Sequence, residues 1–343
     1  MNIFEYPFIF RELNKYLTDK DKLKLISLNK FLNSKRKLFL FKILIKYKDN
    51  LENEWYYNSI TKLIIIKIVK LPERLKYLEV DFEISTKEDA LLFSNMMPRT
   101  LQKIYLHQHY ENCHFVSPPF SITMCLNNLN ENIILNNIKS LKILNLTSEF
   151  NDFRKLKCLA IYYAGDFLTQ KLPNSIECLV LGNVNSLTPG IIPNSVKKLN
   201  ISFLRDFELK SIIPNSVSNL KLICATINQN LEGCIPNSVT RLHIGPISNF
   251  IVPKNVTHLT SFDANLLKTL TMTSVINLRL TPYSYRNILI IDIPICVVHL
   301  TIFDNNQTFK LNLNNVKFLK TTKRYYELIK DCISEDIQIS YFD

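Results

Sequence analysis

A nine-residue phrase returns along this chain at intervals of about 20 residues, and it constrains the fold more than any composition figure does. It reads Pro173-Asn174-Ser175-Ile176-Glu177-Cys178-Leu179-Val180-Leu181. It recurs from Pro193 to Ile201, from Pro214 to Leu222 and from Pro236 to Ile244. Weaker copies lie at Pro253–Thr260, Met272–Leu280 and Pro294–Ile302. Self-similarity at a fixed period means that each unit is one supersecondary element, which buries its apolar face only against its neighbours. The expected product is a stack with a long repeated surface, suited to binding more than to chemistry.

The frame is a proline, an aliphatic residue three positions on, leucine at six and a second aliphatic at eight. It extends back to Pro72 (Leu75, Leu78, Val80) and Pro98 (Leu101, Ile104, Leu106). Degenerate copies begin near Ile138 (Leu141, Leu144, Leu146) and Phe153 (Leu156, Leu159, Ile161), one is doubtful near Pro119, and the last holds Val316 and Leu319. About a dozen units result. Alternation after the third position predicts a short strand. The Pro-Asn-Ser segment predicts a turn ahead of it, since proline fixes φ and Asn and Ser bond local backbone. Stacking then gives a parallel ladder with a spine of Leu and Ile. The return path is too short for a full helix and is expected to be extended or one 3₁₀ turn.

Two segments break the rule. Ser85 and Glu88 have capping-box spacing, which predicts a helix running to about Met97. Lys323 to Ser334 reads as an amphipathic helix closing the last open edge.

The first 48 residues follow another period. Leu13, Tyr16 and Leu17, then Leu23, Leu25, Ile26 and Leu28, then Leu38, Phe41, Ile43 and Leu44 fall at helical spacing. Thr18-Asp19 supplies a capping oxygen ahead of the second run, and Pro7 suits the first turn of the preceding helix. Three helices are expected here, joined by a connector at 49–70 to a solenoid at 71–322 and a terminal cap at 323–343.

Residues 1–50 hold 12 Lys/Arg against 5 Asp/Glu, a large share of the chain's net +12. A solvated basic helical surface is the plain reading, and a nucleic-acid-binding arm is the sharper one. Only 5 glycines are present, and neither GxGxxG nor a Walker-type sequence occurs. The 8 cysteines form no CxxC pair; Cys158 and Cys178 share one repeat position, where cysteine fills space as a small hydrophobe. Glu5, Arg11 and Glu12 break any signal-peptide core, and Leu63–Ile66 is far short of a membrane span. A reduced, cytoplasmic protein is expected, with no membrane partner and no cofactor.

The densest polar cluster, His107 to His114, would place His107 and His109 on one strand face with Cys113 or His114 nearby. No second ligand pair supports it, so a polar loop is the expectation and no metal is assigned. No nucleophile–base pair or paired carboxylates rise above chance, and no catalysis is expected.

If positions six and eight face inward, positions five and seven face outward. On the middle copies these include Cys158/Ala160, Cys178/Val180, Lys198/Asn200, Asn219/Lys221, Arg241/His243, His258/Thr260, Asn277/Arg279 and His299/Thr301, and the degenerate copy gives Ile143/Asn145. The ladder turns from apolar to basic. Lys198, Asn200, Lys221, Arg241, His243, His258, Arg279 and His299 are the candidate target-binding face, suited to a partner with an acidic patch beside an apolar one. A merely solvated strand face is the competing reading.

The repeats resemble the FNIP family, a leucine-rich-repeat-like group, on Leu172-Pro173-Asn174-Ser175, Ile192-Pro193-Asn194-Ser195, Ile213-Pro214-Asn215-Ser216 and Ile235-Pro236-Asn237-Ser238. The family's Phe-Asn half survives only as Phe207-Glu208 and Asn249-Phe250. The N-terminal unit is similar to an F-box on Tyr6-Pro7, Tyr16-Leu17, Asp21-Lys22-Leu23 and Leu25 to Phe31. It departs in a one-residue shortening between Pro7 and Tyr16 and in Phe8 and Ile9, which stand where an acidic residue is usual. An F-box followed by FNIP repeats is an arrangement seen in proteins of giant amoeba viruses. The resemblance implies a substrate receptor of a cullin-RING ubiquitin ligase. Pro7, Leu13, Leu17, Leu25 and Leu28 would then touch a Skp-type adaptor, and the repeats would hold a target protein. A scaffold or decoy without a ligase role is the alternative, and a nucleic-acid-binding solenoid a more distant one.

Overall fold

The computed structural model describes residues 60–82, 84–106, 115–117, 122–129, 133–134, 137–146, 153, 155–164, 168, 171–203, 209–224, 231, 233–245, 251–261, 274–280, 290–303, 310–313 and 315–342, with Thr18, Asp21, Ile45 and Lys46. It divides into two compact units, Met1–Leu156 and Lys157–Asp343. Both are built from parallel strands connected as a leucine-rich-repeat-like solenoid.

In the first unit the strands are β1 (Ile45–Lys46), β2 (Lys62–Ile65), β3 (Tyr77–Val80), β4 (Lys103–Leu106), β5 (Phe115–Val116), β6 (Ile122–Leu129), β7 (Ile133–Ile134) and β8 (Ile138–Leu146). The ladder runs β1-β2-β3-β4-β6-β8, while β5 and β7 pair with each other. It therefore starts before Leu71: Leu63 and Ile65 of β2 are fully buried and pair with Leu78 and Val80 of β3, within residues expected to be a connector. The doubtful unit near Pro119 is real, with Met124 and Leu126 of β6 in the spine.

Helix α1 spans Lys87–Met96. Its cap lies one residue beyond the expected Ser85. Thr86 Oγ1 accepts from the Asp89 amide at 3.1 Å and donates to the Asp89 carboxylate at 2.9 Å, so Thr86 and Asp89 replace Ser85 and Glu88. The copy at Ile138 also needs correction. Leu141 and Ile143 are buried and Leu144 is 39% exposed, so Lys142 and Leu144 face outward and Ile143 faces inward. The copy is framed three residues earlier than expected: Ile138, Leu141 and Ile143 hold positions three, six and eight, and Ser140 and Lys142 align with Thr123 and Cys125 at positions five and seven.

In the second unit the strands are β9 (Cys158–Tyr163), β10 (Cys178–Val184), β11 (Lys198–Phe203), β12 (Asn219–Cys224), β13 (Arg241–Ile244), β14 (His258–Ser261), β15 (Asn277–Leu280), β16 (Ile290–Asp292), β17 (His299–Ile302), β18 (Lys310–Asn312), β19 (Phe318–Thr321) and β20 (Gln338–Tyr341). The ladder is β9 to β15, then β17, β19 and β20, with β16 and β18 paired on the return side.

The recurring phrase has a definite construction here. The proline carbonyl accepts from the amide three residues on, as in Val196 N to Pro193 O at 3.1 Å and Val239 N to Pro236 O at 3.1 Å. Proline thus opens a turn whose corners are Asn and Ser. The serine then reaches back one unit: Ser195, Ser216 and Ser238 donate to the carbonyls of Ile176, Val196 and Val217 at 2.7, 2.8 and 2.7 Å. At position four a single carbonyl receives two amides from the next unit, as Glu177 O does from Lys197 N (2.9 Å) and Lys198 N (3.0 Å). Each turn is therefore registered on the one before it.

Leucines and isoleucines of the strands meet those of the return path. Leu199, Ile201, Leu220 and Leu222 are buried, and so are Ile191, Ile192, Leu209, Ile212 and Ile213 behind them. Among the described residues the returns carry single tight turns, such as Ile212 N to Leu209 O at 3.2 Å. At the C-terminal side, helix α2 (Lys323–Ile329) is capped by Thr322 and followed by a 3₁₀ turn at Lys330–Cys332. The chain then returns as strand β20, paired with β19. So this helix is the return path of one more ladder unit, shorter than the expected Lys323–Ser334 cap on an open edge.

Candidate ladder-face binding site

Parallel pairing in exact register turns repeat positions into rows. In the second unit, position five reads Cys158, Cys178, Lys198, Asn219, Arg241, His258, Asn277, His299, Phe318 and Gln338. Position seven reads Ala160, Val180, Asn200, Lys221, His243, Thr260, Arg279, Thr301, Lys320 and Ser340. Side chains alternate across a strand, so both rows stand on the face opposite the buried leucines. All eight residues expected for the target-binding face are brought together on this one surface. Lys198, Arg241, His258, Arg279 and His299 are exposed, and Asn200, Lys221 and His243 are half-buried.

Basic charge dominates from β11 onward. Among the described residues of rows five and seven in this unit there is no carboxylate. Burial and the nearby Lys221 and Arg279 push the His243 imidazole down to about 4, so it stays neutral between its cations. Burial, Arg241 and His299 likewise lower His258. His258 Nδ1 lies 2.9 Å from Thr257 Oγ1 and its Nε2 lies 3.3 Å from Asn277 Nδ2, which fixes the ring.

Four further residues belong to this surface and were not picked out from the sequence. Lys320 and Phe318 occupy rows seven and five of the last phrase-bearing unit, so carrying the frame forward from Val316 identifies them. Phe303 and Phe342 lie just past strand ends, outside the frame. Phe303 stacks on Phe342 at 4.4 Å, with the Arg279 guanidinium 4.5 Å from the Phe303 ring and Lys320 Nζ 4.9 Å from the Phe342 ring. His299 stacks on Phe318 at 4.5 Å. These contacts hold two cations and one imidazole in place on aromatic faces.

At the other end, Cys158, Cys178, Ala160 and Val180 form an uncharged patch beside Tyr162, which is 44% exposed. The exposed Lys157–Glu177 pair at 2.7 Å borders it and lowers the Glu177 carboxyl. In the first unit the equivalent rows are mixed. Burial and then Glu79 raise the Tyr77 phenol to about 12, Lys103 Nζ lies 5.4 Å from the Tyr77 ring, and burial raises the Cys125 thiol. Charge segregation is thus a property of the second unit's face.

Pro7, Leu13, Leu17, Leu25 and Leu28 lie outside the described residues, as do 107–114. At the N-terminus, Thr18 Oγ1 accepts from the Asp21 amide at 3.2 Å, the local geometry of the expected helix start. Among the described residues no group of three or more His, Cys, Asp or Glu is placed to hold a metal ion, and no helix is long and apolar enough to cross a membrane.

Neither a protein-family profile nor a curated protein sequence matches the chain. Among solved structures it is similar to CroV588, a circular leucine-rich-repeat protein of the giant virus CroV. The two are 20% identical with a TM-score of 0.43, over 83% of this chain and 60% of that one, so the chain spans less than two thirds of that protein's length.

Proposed function

We propose that this chain is a non-catalytic interaction protein whose second-unit ladder face holds a target protein, and that it serves as the substrate receptor of a cullin-RING ubiquitin ligase. The observation that carries the first half is the division of labour among repeat positions. From β9 to β19 positions three and six are apolar and buried unit after unit, and position eight is buried and apolar except at Ser261 and Thr321, while five and seven vary freely on one continuous face. Such a surface is a set of addressable side chains on a fixed frame. The second half rests on the F-box resemblance of residues 6–31, through which the helices would engage a Skp-type adaptor in the cytosol.

The test uses the full chain, co-expressed with a eukaryotic Skp-type adaptor and passed over a sizing column. Co-elution, lost on replacing Leu13, Leu17, Leu25 and Leu28 with alanine in a chain of unchanged circular dichroism, is the expected result. Separate elution at micromolar protein would remove the ligase role and leave the plain scaffold or decoy reading.

A further inference from the structure

Resting on that reading of the ladder face, we propose that strands β11 to β19 bind an extended, acidic segment of a partner protein laid across the strands, with Arg279 and Lys320 as its fixed anchors.

Charge complementarity is the first support. Lys198, Lys221, Arg241, Arg279 and Lys320 all stand on rows five and seven, and none forms an ion pair with a described residue. From β11 to β19 the ladder takes six steps of about 4.8 Å, so the strip is about 29 Å long, which an extended segment of about nine residues spans at about 3.3 Å each. Lys221 and Arg279 share row seven three steps apart, about 14 Å, close to the separation of same-side carboxylates four residues apart in an extended chain.

Preorganisation is the second. Arg279 over Phe303 and Lys320 over Phe342 are held before any partner arrives, so less side-chain freedom is lost on binding. Burial and, after it, the neighbouring cations lower His243 and His258, so the rings add no charge of their own and the lysines and arginines carry the positive potential of this face.

The same rings separate an acidic peptide from a single-stranded nucleic acid. Base recognition on a sheet uses open aromatic faces. Here Phe303 is covered by Phe342 and the Arg279 guanidinium, and Phe318 carries His299 on one face. A carboxylate needs only the outward-facing N–H groups, which stacking leaves available.

Fluorescence anisotropy with the full-length protein tests this. The probe is a labelled twelve-residue peptide of alternating Glu and Ser; comparators are its Lys-Ser counterpart and a twelve-nucleotide oligo-dT. The Glu peptide should bind at about 50 mM salt and weaken as salt rises. The Lys peptide should not bind. R279Q/K320Q should lose about tenfold in affinity, whereas K254Q, which removes an equally exposed turn lysine off the face, should lose nothing. Matching circular dichroism and melting temperatures guard against misfolding, and single R279K and K320R variants should retain most of the affinity.

No binding of the Glu peptide at millimolar concentration would overturn the inference, as would unchanged affinity in R279Q/K320Q. Tighter binding of oligo-dT than of the Glu peptide would overturn it in favour of a nucleic-acid surface. If any of these occurs while the adaptor still co-elutes, the acidic-segment inference alone falls. If the peptide binds and the adaptor does not, only the ligase role falls.

Discussion

Gly182 on β10 packs directly against the backbone carbonyl of Tyr162 on β9. A Cβ at position 182 would stand 3.0 Å from the Tyr162 carbonyl carbon and closer still to its oxygen. The next residue, Asn183, takes a left-handed φ of 49°, and the ladder shifts register between Leu181 and Val184. A bulge of this kind brings backbone against backbone, and only glycine fits.

Gly182→Ala should therefore destabilise the fold by about 1–3 kcal/mol, the ordinary range for overpacking. Gly233 differs: its φ of 68° strains an alanine, but no atom lies within 4 Å of the added Cβ. Gly233→Ala should cost only about 1–2 kcal/mol, the left-handed backbone penalty. Urea unfolding of the two variants measures both, and the comparison is sharpest at β9–β10, where exchange protection of the Ala164 amide (2.9 Å from Gly182 O) should drop in Gly182→Ala alone.

Ser216→Ala should cost about 1 kcal/mol by removing the 2.8 Å bond to Val196 O. Ser216→Thr should recover most of it, because Thr100 stands at the equivalent position in the first unit with its hydroxyl shared between Glu73 O at 2.7 Å and Leu75 O at 2.9 Å. Equal urea midpoints for wild type and Ser216→Ala would show that this bond contributes nothing.

Stability should fall with pH through His243. An unfolded histidine titrates near 6.5, whereas burial, Lys221 and Arg279 bring it to about 4 in the fold. Between those values the unfolded chain binds the extra proton. The contribution is thus fully present above pH 6.5 and lost as pH falls from there through 4. His258 acts in the same direction. Urea midpoints should decline over that window and decline less in His243→Gln; identical slopes would rule the site out as a source.

Thiol reactivity should follow the rows. Cys178 is half-buried on the outward face beside Cys158, whereas Cys234 belongs to the buried return path. Under native conditions a maleimide followed by peptide mass mapping should modify Cys178 before Cys234. The reverse order would contradict the register of β9 and β10.

Much of the second unit was legible because one phrase encodes two backbone devices and a side-chain bridge. Pro193, Ser195 and Val196 announce the turn, the link to Ile176 and the start of the spine, so the rows of Lys198 and Asn200 follow by counting. Where the phrase is missing, counting fails. β2 has no proline ahead of it and reads as a connector. In β8 no proline marks position zero, and apolar residues three apart at Ile138, Leu141 and Leu144 let the frame slip by three, which gives Ile143 the wrong side. β20 follows its turn at Ser334–Ile337 directly, one residue sooner than its predecessors, which hides it behind α2. The Arg279–Phe303 and Lys320–Phe342 contacts were illegible for a different reason: they join ring faces across units, and no linear spacing specifies which neighbour a ring will choose.

The carbonyls at position four, each taking two amides from the following turn, carry a consequence for how such a protein changes. Registration between turns is carried by main chain, by the serine bridges and by the buried spine, and the outward rows add only surface contacts such as His299 on Phe318. Substitution there leaves the architecture untouched while rewriting what the surface attracts. A lineage can thus exchange one quarry for another by single replacements at positions five and seven, each tried on a frame that never has to be relearned.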